Sequence, residues 1–287
     1  MKKPLINKLA IIGVGLMGGS LAMRLRKHGE VGEVIGIGRG LDNLIEAKEL
    51  GIIDHFTQSL EEGLADADVV IVAIPVGSIV QIIKTGQQFM KDGAIITDVG
   101  SVKGDIVRGV EEILDKRLSF VGAHPIAGTE KSGASAAFPE LYDGSRCIIT
   151  PSQHSDDVAL NKLKAMWELT GAEVVVMDVE AHDKILAAIS HLPHIVAYAL
   201  VNTVDSIKDF DESIIKYSAG GFRDFTRIAS SSPEMWRDIC MMNKPALLEM
   251  MDDYMAELEG MKKMIEANDY EGLVENFHRS KRARDSI

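Results

Sequence analysis

The chain has 287 residues, of which 46% are hydrophobic and 26% charged, with a formal net charge of -12. This size allows two ordinary domains, each with its own core, and the composition is typical of a soluble globular protein. The excess negative charge argues against a nucleic-acid or anionic-membrane surface, so a local cluster of Arg and His must bind any anionic ligand. We see no apolar segment of membrane-spanning length, about 20 residues. Cys147 and Cys240 lie far apart and predict free thiols in a cytoplasmic protein.

Near the N-terminus, a glycine-rich turn joins a predicted strand to a predicted helix. Residues 9–14 form a short apolar run typical of a buried parallel strand, and residues 20–27 have a helical pattern. Between them, Gly13 permits a tight turn, Gly15 leaves room for a pyrophosphate, and Gly18 lets the helix lie close to the strand. This context makes the GxGxxG pattern a dinucleotide-binding prediction. The predicted cofactor contacts in the turn are Gly13, Gly15, Leu16, Met17 and Gly18.

The end of the second predicted strand bears on the choice of nicotinamide cofactor. NAD-binding proteins carry an acidic residue there, about 20 residues past the glycines, which binds the ribose 2′-hydroxyl. In this chain Gly38 stands at that position, and Arg39 follows it. Arg39 can pair with a 2′-phosphate, which favours NADP or the use of both NAD and NADP. Alternatively, Arg39 stacks on the adenine and Asp42 binds the ribose.

The strand-then-helix rhythm continues as far as residue 178 and predicts a doubly wound sheet. Because the carboxyl ends of parallel strands share one edge, Ile74 and Pro75 are predicted to contact the cofactor there, with Ser101 and His124 in the same crevice. The fold class is therefore α/β, with a Rossmann-type parallel sheet over residues 1–178. The further predicted strands span residues 34–38, 69–74, 94–99, 120–123, 146–150 and 173–177.

After residue 178 the pattern becomes helical, which predicts an all-helical dimerisation domain over residues 179–287. Residues 181–204 are apolar nearly all round, as in a helix buried in a core or an interface. A later stripe indicates a helix packed lengthwise on another, either within the chain or in a second copy, and we favour a homodimer. The stripe consists of Leu247, Met251, Tyr254, Leu258, Met261 and Ile265.

Three polar blocks carry more specific information than the glycines. They read GAHPIAGTEKSG over residues 122–133, SHLPH over residues 190–194 and GGFRDFTRIA over residues 220–229. Together with the GSVK segment at residues 100–103, they resemble the prephenate/arogenate (cyclohexadienyl) dehydrogenase family of tyrosine biosynthesis over essentially the whole chain. The resemblance implies an oxidative decarboxylation, in which a hydride leaves the ring carbon bearing the hydroxyl, CO₂ leaves the opposite carbon, and the ring becomes aromatic. Its implied partners are prephenate or arogenate and NAD(P).

The resemblance assigns the catalytic roles to His124 and Ser101. A base must take the hydroxyl proton as the hydride leaves, and an imidazole with a pKa of about 6.5 suits that task at neutral pH. His124 matches the catalytic histidine of the family. Ser101 matches the serine that orients the histidine, the hydroxyl and the nicotinamide, and it is also a candidate N-cap for the helix that follows.

The same resemblance assigns the substrate contacts. Arg227 offers a bidentate fork to the side-chain carboxylate, and His194 faces the ring carboxylate or the hydroxyl. Thr129 and Glu130 match loop residues that contact or gate the substrate. Glu130 is expected to pair with Arg227 when the pocket is empty.

The remaining histidines have plainer interpretations. His191 and His194 are three residues apart, but with no HExxH glutamate and no cysteine nearby we expect no metal site. His191 is expected to be a packed residue, and His182 and His154 to be surface or loop residues. Trp236 is expected to anchor a core or an interface.

Two other functions stay open at this stage. A β-hydroxyacid dehydrogenase has a similar two-domain layout, but it uses a lysine on the first long helix of its second domain, where this chain has Ser190 and His194. A non-catalytic cofactor-sensing module would not need His124, Ser101 and Arg227 together.

Overall fold

An eight-stranded sheet organises the structure, a computed structural model that describes residues 3–129, 131–207 and 214–286. The strand order is β3-β2-β1-β4-β5-β6-β7-β8, which contains the order of a dinucleotide-binding sheet. The strands are β1 (Ile6–Ile12), β2 (Val31–Ile37), β3 (His55–Thr57), β4 (Val69–Val72), β5 (Ile95–Asp98), β6 (Ser119–Pro125), β7 (Arg146–Pro151) and β8 (Glu173–Val176).

The prediction of a parallel sheet is correct for the first six strands. β7, however, runs antiparallel to β6, and β8 then runs parallel to β7. Parallel neighbours need a crossover, usually a helix. The described part of the β6–β7 connection holds only a 3₁₀ turn at Ala134–Ala136, so the chain doubles back. The edge strand β3 was not predicted, because three residues are too few to show a pattern.

Six helices cover the two faces of this sheet. One core cluster lies beneath α1, α2 and α6, and a second lies beneath α3, α4 and α5. Because both faces are covered, β4 is buried at every residue. The helices are α1 (Leu16–Lys27), α2 (Leu41–Glu49), α3 (Leu60–Leu64), α4 (Ile79–Gly86), α5 (Gly104–Glu111) and α6 (Asp157–Glu168).

The C-terminal part is helical, as predicted. Its first helix runs unbroken over Val179–Asp205 and contains a π-helical segment at Ala187–His191. By length and composition alone this helix is apolar enough to cross a membrane, which we did not expect from the sequence. Of an apolar stretch of 18 residues within it, 22% is buried. The elements are α7 (Val179–Leu186), α8 (Leu192–Asp205), α9 (Gly220–Thr226), α10 (Pro233–Met242), α11 (Lys244–Glu266) and α12 (Tyr270–Arg284).

The helical part has no substantial core of its own within the described residues, which corrects the expectation of one core per domain. Trp236 and Ile239 of α10 belong instead to the cluster beneath α3, α4 and α5. The predicted stripe on α11 begins at the buried Leu247 but ends at the exposed Leu258 and Ile265. Exposed apolar faces of this extent are typical of a surface that a partner covers. Other exposed apolar side chains on these helices are Ile185, Ile189, Leu248, Met255, Val274 and Phe277.

The glycine turn gives a direct test of the fold. Gly13 has a φ of +91°, and a Cβ there would lie 2.4 Å from the carbonyl oxygen of Ala73. Gly29 also has a positive φ, +68°, but open space around it. Gly29→Ala should therefore lower the free energy of unfolding by about 1 kcal/mol, from backbone strain alone. Gly13→Ala should cost about 3 kcal/mol, because a clash with the backbone is added. Urea denaturation measures both, and equal losses would contradict this packing.

Candidate active site

The glycine turn lies where β1 and β4 end. The Gly13 amide donates to the carbonyl of Ile37 at 2.8 Å, and a Cβ on Gly18 would lie 2.6 Å from Cγ2 of Ile11. By contrast, nothing lies within 4 Å of a Cβ built on Gly15. α1 begins at Leu16 rather than near residue 20. The glycines in its first turn have no side chain, so this turn can pack directly against β1. Its free first-turn amides therefore face an open space suited to phosphates.

The other predicted cofactor contacts gather at the same edge. Met17 is half-buried, and its carbonyl accepts a 2.7 Å hydrogen bond from the hydroxyl of Tyr142. Ile74 is half-buried, and its Cγ2 would lie 2.8 Å from a Cβ on Gly13. Pro75 is exposed and precedes the 3₁₀ turn Val76–Ser78. These side chains frame the mouth of the turn.

The end of β2 presents no acidic side chain at the position expected for NAD. A Cβ on Gly38 would make an ordinary 3.5 Å contact with Leu44, so the backbone has room for a side chain there. Arg39 and Asp42 are both exposed, and the carbonyl of Arg39 accepts a 2.6 Å hydrogen bond from the side-chain amide of Gln58. Both interpretations of Arg39 remain compatible with this geometry.

His124 lies at the end of β6 and is 8% exposed. Its Nδ1 lies 2.9 Å from Nε2 of His182 on α7. Nδ1 of His182 in turn lies 2.8 Å from Oδ1 of Asp183. The expectation that His182 is a surface or loop residue is wrong, since it is fully buried where α7 packs against the strand ends. His154, by contrast, does lie in a loop, half-buried.

The surroundings keep both rings of the His124–His182 pair neutral. Burial lowers the pKa of His124 well below its usual value, and positive charge on His182 or Lys103 acts in the same direction. Burial also lowers the pKa of His182, although its hydrogen bond to Asp183 opposes that effect. At neutral pH, His124 is therefore in the unprotonated form that a general base needs.

A buried ion pair holds the loop after β5 beside His124. Lys103 and Asp98 both have fully buried side chains, and Nζ of Lys103 donates to Oδ2 of Asp98. Asp98 also accepts hydrogen bonds from the amides of Gly100, at 2.8 Å, and Ala123, at 3.3 Å. The carboxylate thus ties the GSVK segment to the residue that precedes His124.

Ser101 lies half-buried in this loop and does not cap a helix. α5 begins later, at Gly104, and its N-terminal amides are satisfied by a distant residue. Oδ1 of Asp183 accepts from the amide of Lys103 at 2.9 Å, and Oδ2 accepts from that of Gly104 at 2.8 Å. The alternative role of Ser101 as an N-cap is therefore wrong, and its hydroxyl is left for other partners.

His194 and Arg227 lie near each other in the helical part. Nδ1 of His194 donates to the carbonyl of Ser190 at 2.9 Å, and the ring stacks on Trp236 at a centroid distance of 3.6 Å. Burial lowers the pKa of His194, and the nearby charge of Arg227 lowers it further. Arg227 is exposed and forms no ion pair with any described residue. Nε2 of His194 and the guanidinium are thus available to a ligand.

His191 is a packed residue, as expected. It is fully buried, with Nδ1 3.1 Å from Nδ2 of Asn243 and its ring edge-on to Trp236. Burial lowers its pKa to about 4, which the neighbouring Asp183 and the backbone oxygen of Ser101 partly oppose. Trp236 is 7% exposed and anchors the core, again as expected.

The loop after β6 is only partly described. Thr129 is exposed, and its hydroxyl accepts a 3.2 Å hydrogen bond from the amide of Lys131. Glu130, and with it the expected pairing to Arg227, lies outside the described residues. Within residues 3–129, 131–207 and 214–286, no group of three or more His, Cys, Asp or Glu side chains is arranged to hold a metal ion.

Sequence reasoning missed the residues behind His124. Only tertiary packing brings them together, since 80 positions separate Asp183 from Lys103. A signal was nevertheless present: adjacent His and Asp residues at the start of an otherwise apolar helix are costly to bury without partners. The missed residues are Asp98, Lys103, His182, Asp183 and Asn243.

Comparison with known proteins identifies the family. Residues 21–176 match the family described as prephenate dehydrogenase, nucleotide-binding domain, and residues 178–279 match prephenate dehydrogenase, dimerization domain. The chain belongs to the prephenate dehydrogenase family. The resemblance seen in the polar blocks is thereby confirmed, as is the α/β sheet followed by a helical dimerization domain.

Three relatives illustrate the match. The chain is 38% identical to prephenate dehydrogenase of Bacillus subtilis, over 98% of this chain and 76% of that protein. It is 34% identical to cyclohexadienyl dehydrogenase of Zymomonas mobilis, over 96% of this chain and 94% of that protein. Among solved structures, prephenate dehydrogenase of Aquifex aeolicus in complex with hydroxyphenyl propionate and NAD⁺ superposes with a TM-score of 0.92, at 40% identity and 98% coverage of both chains.

The buried ion pair between Lys103 and Asp98 leads to a prediction about stability. Lys103→Met leaves the Asp98 carboxylate buried without its cation and should lower the free energy of unfolding by about 3–5 kcal/mol. The double variant Asp98→Asn/Lys103→Met removes both charges and keeps one acceptor oxygen, which serves the amide of either Gly100 or Ala123. It should be more stable than Lys103→Met alone in urea denaturation. A double variant that loses at least as much as the single one would contradict the cost assigned to the unpaired Asp98 carboxylate.

Proposed function

We propose that this chain catalyses the NAD(P)-dependent oxidative decarboxylation of prephenate or arogenate. The observation that carries the proposal is the position of His124. Its Nδ1 is covered by His182, whereas its Nε2 makes no hydrogen bond to a described residue and is not enclosed, so it is accessible at the carboxyl edge of the sheet, where the glycine turn also lies. A neutral imidazole at this edge of the sheet is placed to act on a substrate bound against a nicotinamide.

The reaction uses His124 twice. As the hydride passes from the ring carbon bearing the hydroxyl to the nicotinamide, the hydroxyl O–H bond breaks and the proton moves to Nε2 of His124. CO₂ then leaves the opposite carbon, its bonding electron pair enters the ring, and the resulting phenolate takes the proton back from His124. No net proton is released, and aromatic ring formation drives the sequence forward. Ser101, on the neighbouring loop, orients the hydroxyl and the nicotinamide.

The helical half supplies the groups that bind the substrate anion. Arg227 holds the side-chain carboxylate through two parallel hydrogen bonds. His194 faces the ring carboxylate or hydroxyl: its Nε2 accepts a hydrogen bond when neutral and donates one when protonated. A single weakly charged partner suits the ring carboxylate, because strong solvation would oppose loss of CO₂. Thr129 and Glu130 match loop residues of the family that contact or gate the substrate.

The cofactor is a nicotinamide dinucleotide, and we propose NADP or the use of both NAD and NADP. The support is the absence of an acidic side chain at Gly38 together with the exposed Arg39 beside it. The pyrophosphate would lie over Gly15 and the first-turn amides of Leu16, Met17 and Gly18. Gly13, Ile74 and Pro75 would shape the mouth of the site.

We further propose a cytoplasmic homodimer with its domain boundary near residue 178. The dimer is supported by the match of residues 178–279 to a dimerization domain and by the apolar side chains exposed at Ile185 and Ile189 and on α11 and α12. That partner surface also gives the apolar helix Val179–Asp205 a role other than crossing a membrane. The free thiols of Cys147 and Cys240 suit a reducing compartment.

Steady-state rates with prephenate and arogenate, each paired with NAD⁺ and NADP⁺, test the function. At least one pairing should be turned over efficiently, and small β-hydroxy acids should not be.

His124→Asn should lower kcat at least about 10³-fold, because a ring nitrogen that accepts the proton is lost, while the dissociation constant of the cofactor changes little. In the wild type, kcat/KM should stay flat as the pH falls through about 6.5 and decline only below it. Full turnover by His124→Asn would favour a role in binding alone.

The cofactor proposal has its own test. Gly38→Asp places a carboxylate where the ribose 2′-oxygen is expected, and it should raise the KM for NADP⁺ at least about tenfold relative to that for NAD⁺. Gly38→Asn is the matched neutral control and should change the ratio less. If the two variants shift the ratio equally, charge at this position does not select the cofactor.

A further inference from the structure

A chain of hydrogen bonds runs from the strand ends into the helical half. It ends at the carboxylate of Asp183, which accepts hydrogen bonds from two backbone amides. Its three members are His124, His182 and Asp183, joined by contacts of 2.9 and 2.8 Å. Two of the three members, His124 and Asp183, are 8% exposed, and His182 is fully buried. Polar groups buried to this degree are costly unless their hydrogen bonds are made, so the arrangement constrains where each proton resides.

The carboxylate end of the chain fixes the protons. Oδ1 and Oδ2 of Asp183 accept from the amides of Lys103 and Gly104, and Oδ1 also lies against Nδ1 of His182. These hydrogen bonds lower the pKa of Asp183 against the opposing effect of burial. An ionised carboxylate only accepts hydrogen bonds. Nδ1 of His182 therefore carries a hydrogen and donates it to Asp183.

The assignment then propagates to His124. With its hydrogen on Nδ1, neutral His182 has a lone pair on Nε2 and accepts there. The facing Nδ1 of His124 must then carry a hydrogen and donate it. Nε2 of His124 is left with a free lone pair on the edge that faces the crevice. One carboxylate thus sets the tautomers of two rings.

We infer that His182 and Asp183 are positioning residues, which hold His124 as the Nδ1–H tautomer with Nε2 ready to accept a proton. This inference rests on the proposed role of His124. When Nε2 takes the substrate hydroxyl proton, the Nδ1–H of the resulting imidazolium still donates to His182, and Asp183 lies behind His182. The positive charge is then stabilised until the phenolate takes the proton back. Neither His182 nor Asp183 gains or loses a proton overall.

The neighbouring His191 serves as an internal contrast. It is equally buried, but its Nδ1 lies against the side-chain amide of Asn243, which donates its other hydrogen to the carbonyl of Asp183. An amide donor requires the lone pair of His191 on Nδ1, so this ring has the opposite tautomer. His191 therefore differs from His124 and His182 in its tautomer, which can be measured.

Kinetics of two variants test the inference. His182→Gln keeps a side-chain oxygen that can accept from His124, whereas His182→Leu fills similar space without an acceptor. His182→Leu should lower kcat about 10²–10³-fold, with the KM for substrate and the cofactor dissociation constant within about threefold of wild type. His182→Gln should retain kcat within about tenfold. A folded His182→Leu enzyme with wild-type kcat, or equal losses in both variants, would overturn the inference.

Nitrogen-15 NMR of histidine-labelled protein gives a readout that does not depend on activity. In the wild type near neutral pH, His124 and His182 should show the Nδ1–H tautomer and His191 the Nε2–H tautomer. Signals are assigned by single histidine replacements. An Nε2–H tautomer at His124 or His182 would overturn the inference even if His182→Leu did not fold. If the wild-type enzyme oxidised neither prephenate nor arogenate, the proposed function would fail, while this measurement would still report whether the proton arrangement is correct.

Discussion

The hydrogen bond between His124 and His182 is the contact on which the arrangement of the site depends. It joins the end of a sheet strand to the first helix of the dimerization domain, so it forms only when α7 sits on the carboxyl edge of the sheet. Asp183 secures that position by capping α5, and Asn243 ties α7 to the start of α11. The cofactor turn comes from one half of the chain and Arg227 from the other. The contact that aligns the halves therefore also sets the geometry for reaction.

Electrostatics within this region differ from those of the molecule as a whole. The chain carries a net charge of -12, yet the buried Lys103 lies close to His124, and the exposed Arg227 lies near His194. Burial and these cations hold the histidines neutral, which suits one ring to accept a proton and the others to make directed hydrogen bonds. Lys103 is paired with Asp98, so the exposed guanidinium of Arg227 is the cation that we propose meets an anionic substrate in this acidic protein. Affinity comes from the pocket rather than from a general field.

Much of the fold could be predicted from the sequence, because the patterns that indicate it are local. The glycine turn, most of the strands and the apolar helix over residues 181–204 have short-range patterns, and the structure contains all of them. Features that depend on contacts between residues far apart in the sequence could not be predicted. The antiparallel turn into β7 depends on a connection without a helix, the short strand β3 has no periodicity, and the start of α1 depends on how closely Gly18 approaches Ile11.

The candidate site shows the same division. His124, Ser101, His194 and Arg227 stand in blocks whose residue order is distinctive, and the resemblance of those blocks to a known family singled them out. His182 was not identified as a partner of His124, because the adjacent Asp183 is only a weak local signal and tertiary packing alone brings the two rings together. The core of the helical half was likewise misjudged, since Trp236 and Ile239 pack beneath the sheet and the exposed stripe on α11 needs a second surface.

The most direct measurement follows both products from prephenate deuterated at the ring carbon that bears the hydroxyl. With wild-type enzyme and the oxidised cofactor, each CO₂ released should be matched by one reduced cofactor carrying the deuterium. The aromatic product should retain its hydroxyl oxygen. Release of CO₂ without cofactor reduction would mean that the hydroxyl, rather than a hydride, leaves the ring, and it would contradict the assignment of His124 as the base for hydride transfer.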